Sequence, residues 1–198
     1  MGLAKATLPF GDETLLARVV RLLSSEVNPL VVVAAPDQRL PELPSDVRRT
    51  CDLREGRGPL EGLAAGLAAL PAGCAAAYVT GCDVPLLVPA FVRKMVSLLG
   101  AHQIAVPREG DLYHPLAAVY RVEVLAIVQR LLEAGRLRPF YLFGEADTLE
   151  VPGQLLREAD ADLATLRNVN HPADYFAALA AAGLAAPAEI LRRLQSCE

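Results

Sequence analysis

The chain has 198 residues, enough for one compact domain, and 53% hydrophobic against 21% charged residues excludes disorder over most of its length. A net charge of −4 without any Lys/Arg cluster excludes an extended nucleic-acid groove or an anionic-membrane patch, but leaves room for a small phosphorylated ligand. No apolar run approaches the ~20 residues that span a bilayer, and MGLAKATLPFG lacks the apolar centre of a signal peptide, so the expected location is the cytoplasm.

In chain order, Glu13–Ser25 repeats apolar residues at helical spacing, with Leu15, Leu16, Val19, Val20, Leu22 and Leu23 on one broad face. Asn28-Pro29 ends that helix, and the continuous run Leu30–Ala35 reads as a strand covered on both faces. A proline-rich loop leads to a short strand over Val47–Asp52. Gly58-Pro59 opens a second helix that ends before Pro71, and Ala75–Thr80 is a second buried strand, stopping at Gly81-Cys82-Asp83. Pro89–Leu99 is helical, Gln103–Pro107 a strand, Leu112–Tyr120 extended, and Val122–Glu133 an amphipathic helix closed by Gly135. Thr148–Val151 makes a last strand, Pro172–Ala182 a helix, and Pro187–Gln195 a terminal helix packed on the outside. Strand and helix alternate without linker or repeat, which predicts one α/β domain with a mostly parallel sheet and helices on both faces. That domain is expected over 1–182, with a helical extension over 183–198. Cys51, Cys74, Cys82 and Cys197 show no metal-ligand spacing and read as buried, reduced thiols.

In a doubly wound sheet, ligands sit beyond the carboxyl ends of the strands, so the polar residues there are the candidates. Asp83, in Cys82-Asp83-Val84-Pro85, suits a hard cation such as Mg²⁺ or caps the turn that follows. Asp52 precedes the GPLEG run Gly58–Gly62, where glycines allow close backbone approach to a ligand, or simply start a helix with Pro59 in its first turn. Lys5 and Tyr113-His114-Pro115 are weak signals alone, and His114 is a core histidine or a phosphate donor. Asn168 and Asn170, two apart, point to one side of an extended segment and hold a ligand or cap turns.

Taken together, LPFG after Lys5, the strand ending VVVAA, GPLEGLAAGL, GCDVP, YHPLAAVY and NVNHPADY resemble the molybdenum cofactor guanylyltransferases. The resemblance runs over about Met1–Leu179 with the motifs in family order. It implies a Rossmann-like nucleotidyltransferase domain that transfers GMP from Mg-GTP to molybdenum-loaded molybdopterin, releasing pyrophosphate and forming the guanine dinucleotide cofactor. Carried onto this chain, Lys5 would offset triphosphate charge, and Asp83 would be the catalytic Mg²⁺ ligand. Asp52, Gly58, Pro59 and Leu60, with Lys5 and Asp83, would bind the nucleotide. His114, Asn168 and Asn170 would face the molybdopterin acceptor. No covalent nucleophile is implied. The expected partners are GTP and molybdenum-molybdopterin, with transient contacts to proteins that insert molybdenum or receive the cofactor, and neither nucleic acid nor membrane.

The family begins with a strand and a loop of the type LAGGxSxRMG, and Met1-Gly2 matches only the end of that loop. Either the missing strand lies ahead of Met1, the reading expected here, or the protein has lost its main GTP loop; without that strand neighbouring strands would carry unpaired backbone groups. Ala34 and His171 replace a polar residue and a Thr of some relatives, which loosens the nucleotide assignment. Two alternatives stand beside the guanylyltransferase reading. One is transfer with another nucleotide or acceptor, such as a molybdopterin cytidylyl or sugar-phosphate transferase; the other is a non-catalytic cofactor carrier.

Overall fold

The computed structural model describes residues 4–52 and 57–195. Met1, Gly2 and Cys197 lie outside them. After a single turn at Lys5–Thr7, a two-residue hairpin pairs β1 (Pro9–Phe10) with β2 (Glu13–Thr14) and runs straight into α1 (Leu15–Ser24). The Thr14 hydroxyl caps α1 by accepting the Ala17 N–H at 3.2 Å. β3 (Val31–Ala34) follows, and its branched side chains suit a pleated strand better than a helix. It pairs in parallel with β4 (Arg48–Cys51). Then come α2 (Pro59–Ala68), β5 (Ala76–Thr80), α3 (Pro89–Leu98), β6 (Ile104–Glu109), β7 (Leu112–Tyr113), β8 (Ala117–Arg121) and α4 (Leu125–Glu133). The chain closes with α5 (Phe140–Phe143), β9 (Thr148–Pro152), α6 (Gly153–Leu156), α7 (Pro172–Ala181) and α8 (Ala188–Gln195).

The sheet is mixed. β3–β4 and β6–β9 pair in parallel, whereas β8 lies antiparallel to both β5 and β6. The cause is a hairpin the sequence reading did not anticipate. Gly110, at φ +58, turns β6 directly into β7, and β8 returns along the same edge of β6. So short a connection can only reverse the chain, so β8 opposes β6 while β5 and β6 still run the same way.

Helices cover both faces of this sheet, as the alternation predicts. Ile104, Val106, Ala118 and Tyr120 face Leu60, Leu63 and Leu67 of α2 and Val128, Leu131 and Leu132 of α4. Their neighbours Ala105, Ala117 and Val119 face Phe91 and Met95 of α3 and Leu156 of α6. The period of two along each strand sorts the residues onto the two layers. A third cluster joins Leu8, Phe10 and Leu15 to Val169, Tyr175, Leu179 and Ile190, so α8 is tied to the N-terminal hairpin through Ile190.

Two expectations about burial change. β3 and β5 are mostly half-buried, because both border a cleft of about 590 Å³ that separates them. Among the described residues no strand pairs with the cleft-facing edge of either. Cys51 is exposed, since β4 is paired on one side only; Cys74 and Cys82 are half-buried, and all three are free thiols. No helix among the described residues is long and apolar enough to cross a membrane.

Leu60, from the GPLEG run, is 0% exposed and packs in the α2–α4 core, so its side chain turns away from the cleft. Leu60→Ala is expected to lower unfolding free energy by about 2–5 kcal/mol in urea denaturation.

Candidate active site

Three distant segments meet at the carboxylate that ends β5. Lys5 Nζ donates to Asp83 Oδ2 at 2.8 Å and to Asn170 Oδ1 at 2.7 Å. Asn168 Nδ2 donates to the other Asp83 oxygen at 3.3 Å, and the Val169 N–H donates to the Asp83 carbonyl at 2.8 Å. Lys5, Asp83, Asn168 and Asn170, weak signals apart, are thus one hydrogen-bonded group. Asp174 fixes the asparagine arm from behind by accepting the N–H groups of Asn170 and His171 at 2.9 and 2.7 Å. Those two bonds hold its carboxyl below the ordinary value. Asp174 thereby supplies the helix-start bond to the backbone at His171.

Gly81 is what lets Asp83 fold back over the strand end. A Cβ there would stand 2.4 Å from Asp83 Oδ1. The Cys82 thiol beside it is pushed up by burial and by the Asp83 charge, which leaves it protonated and a poor nucleophile.

The group lies between two cavities. On one side is the β3–β5 cleft, lined at its polar end by Asp52, Gly58, Pro59, Gly62, Gly81 and Cys82. Asp52 Oδ1 is sealed from solvent and has no hydrogen-bond partner among the described residues. A Cβ at Gly62 would stand at an ordinary van der Waals distance of 3.5 Å from it. Burial, and then the nearby Glu61 charge, raise the Asp52 carboxyl above its ordinary value. Glu61 is itself buried, with Oε2 unpaired and Arg57 Nε no nearer than 4.0 Å. Gly58 occupies φ +73 at the start of α2, a conformation that L side chains rarely adopt.

On the other side is a cavity of about 390 Å³ lined by Tyr113, His114, Pro115, Thr165, Asn168 and Asn170 among others. Burial holds the His114 imidazole below its ordinary value. Sequence reasoning missed Glu109, whose Oε2 lies 3.5 Å from His114 Nε2. The Glu-Gly-Asp-Leu run at 109–112 was the available signal, since a hairpin there sets Glu109 diagonally across from His114 on the same face.

A family model described as a MobA-like NTP transferase domain matches residues 1–149. The chain belongs to this family. A probable molybdenum cofactor guanylyltransferase of Mycobacterium avium is 36% identical over 179 residues, covering 88% of this chain and 86% of that one. One of the same name from Mycobacterium tuberculosis is 35% identical over 192 residues, covering 94% and 86%. The MobA-like chain is accordingly a nucleotidyltransferase. The molybdopterin-guanine dinucleotide biosynthesis protein A of Archaeoglobus fulgidus shares the fold with a TM-score of 0.77, at 19% identity over 92% of both chains. The 2-C-methyl-D-erythritol 4-phosphate cytidylyltransferase of Thermus thermophilus has the same fold at a TM-score of 0.62 and 18% identity, covering 91% of this chain and 94% of that one.

Gly81→Ala is expected to drive the Asp83 carboxylate off Lys5 and Asn168. A drop in nucleotidyl transfer on the order of 10²-fold, with circular dichroism and cooperative unfolding retained, is the expected result.

Proposed function

We propose that this nucleotidyltransferase moves GMP from Mg-GTP onto the terminal phosphate of molybdenum-molybdopterin. The names of its mycobacterial relatives support this reading. The observation that carries it is the Lys5–Asp83 pair standing between a cleft with an orphaned carboxylate oxygen and a cavity lined by amides and an imidazole.

In the cleft, a buried acceptor without a donor calls for a ligand that brings N–H groups. Guanine presents an amide N–H beside an exocyclic amine, and Asp52 accepts from that edge while Gly58 and Gly62 let the α2 backbone close over the base. In the other cavity, His114, Asn168 and Asn170 offer donors to the phosphate of the acceptor. Between them, Lys5 neutralises triphosphate charge as pyrophosphate leaves. An acceptor phosphate oxygen bonds to the α-phosphorus as the bond from that phosphorus to the bridging oxygen breaks.

Asp83 fits a divalent cation as its one protein carboxylate. Among the described residues no three His, Cys, Asp or Glu side chains gather into a cage, which suits Mg²⁺, an ion that keeps waters and substrate phosphates as most of its ligands. When bound, the cation supplies charge neutralisation and alignment of the two phosphorylated substrates. Asp83 would hold the cation, and Lys5, now paired with Asp83, would then be free to meet the phosphates.

Thermal shift separates the base choices: Mg-GTP is expected to raise Tm more than Mg-CTP, and stabilisation by CTP alone would reject guanylyl transfer. Asp83→Asn and Lys5→Ala are each expected to cut turnover with GTP on the order of 10²–10³-fold, and near-normal rates at saturating Mg²⁺ would remove Asp83 as the cation ligand. Asp52→Asn is expected to weaken GTP binding about 10- to 100-fold, the worth of a charge-assisted hydrogen bond. Because the Asp52 carboxyl is raised, and only its charged form accepts fully, GTP affinity should fall as pH drops through a range above the usual ~3.9 of aspartate. Titration calorimetry should find that fall in the wild type and not in Asp52→Asn.

A further inference from the structure

His114 presents an unusual arrangement for a group that meets a cavity. Its Nε2 is sealed from solvent, and its nearest partner among the described residues is Glu109 Oε2, 3.5 Å away. The ring therefore reaches the cavity through Nδ1. Glu109 is 40% exposed, and two neighbours bear on its side chain. Arg157 Nη2 lies 3.8 Å from its Oε1, and Gly153 makes room for it, since a Cβ there would stand 3.1 Å from Glu109 Cγ. Cross-strand pairing sets the spacing: the His114 N–H donates to the Pro107 carbonyl at 3.0 Å, which places Glu109 two residues along on the same face.

The charged groups around the ring are few. Glu109 comes from β6, with Arg157 behind it from the end of α6. The loop across the cavity offers the neutral Thr165, Asn168 and Asn170, the last two already bonded to Asp83 and Lys5. The adjacent Tyr113 hydroxyl is engaged by Glu150, with Arg108 over its ring. Glu109 is thus the one carboxylate in ion-pair range of this imidazole among the described residues.

A neutral imidazole that gives its Nε2–H to Glu109 turns a lone pair, at Nδ1, toward the cavity. A phosphate oxygen is repelled by that lone pair and attracted by an N–H. We propose that Glu109 is a positioning residue for His114, fixing Nε2–H inward so that an anion entering the cavity binds with uptake of one solvent proton at Nδ1. The imidazolium then lies between two negative groups, Glu109 and the acceptor phosphate. The inference rests on the reading that this cavity takes the acceptor phosphate. Protonation favours binding at low pH, and that advantage disappears as pH rises through the imidazole range.

Sulfate is the probe, because it does not itself titrate near neutrality. NMR of the imidazole carbon-bound protons, with His114→Gln to assign the signal, should show His114 titrating below the ordinary value in the free protein and higher with sulfate bound. Glu109→Gln should weaken sulfate binding about 3- to 10-fold near pH 6, equivalent to half to one unit in the imidazole, and leave it unchanged near pH 8. Sulfate that perturbs the Asn168 and Asn170 amides without moving the His114 titration would overturn the proton uptake alone. Failure of sulfate to perturb those amides at any pH would overturn the acceptor-phosphate reading as well. A Glu109→Gln effect equal at both pH values would assign Glu109 a merely structural part.

Discussion

The Asp83 carboxylate is pinned on both oxygens. Lys5, from the first turn of the chain, takes one, and Asn168, from the loop before α7, takes the other. The pairing closes a ring of structure around the strand end: β5 supplies the acid, the hairpin and α1 carry the lysine, and α7 carries the amides. The third core cluster, with Leu8, Phe10, Tyr175 and Ile190, exists to hold those two arms against each other. Its packing is the stable part, since a half-exposed lysine–carboxylate pair, here 31% and 15% exposed, adds little net stability. The pair is better understood as a set position for charge than as a clamp. Phosphoryl transfer needs that, because positioning and neutralisation do most of its chemistry.

A second constraint follows from the glycines. At Gly81 a Cβ would crowd Asp83 Oδ1 at 2.4 Å, whereas at Gly62 it would meet Asp52 Oδ1 at an ordinary 3.5 Å. Asp83 consequently lies close against backbone. Among the described residues Asp52 Oδ1 is left without a partner, a standing cost to the free protein.

Much of this was legible in the sequence wherever the signal is local. The branched run at 30–35, the GPLEG helix start and the Gly-Cys-Asp ending of β5 all report their own backbone, and the elements formed close to where the pattern put them. Lys5, Asp83, Asn168 and Asn170 were named one by one from motifs, but no spacing in the chain says that they bond to each other. The antiparallel insertion of β8 was missed because strand–helix alternation is silent about a hairpin, and the turn at Gly110 carried the information instead. Leu60 shows the reverse error: a residue inside a motif is not thereby a ligand residue, and one helical step from Pro59 turns it into the core. Glu61 beside Asp52, and Glu109 beside His114, depend on tertiary approach that composition and periodicity do not encode.

The central claim is that a divalent cation bound with the nucleotide sits on Asp83, between the two cavities. Manganese in place of magnesium tests it directly through paramagnetic broadening in amide NMR spectra. With Mn-GTP, the account predicts loss of the Gly81, Cys82, Asp83 and Asn168 signals before those of remote residues such as Met95. Broadening centred away from the β5 terminus, or an unchanged pattern in Asp83→Asn, would contradict it.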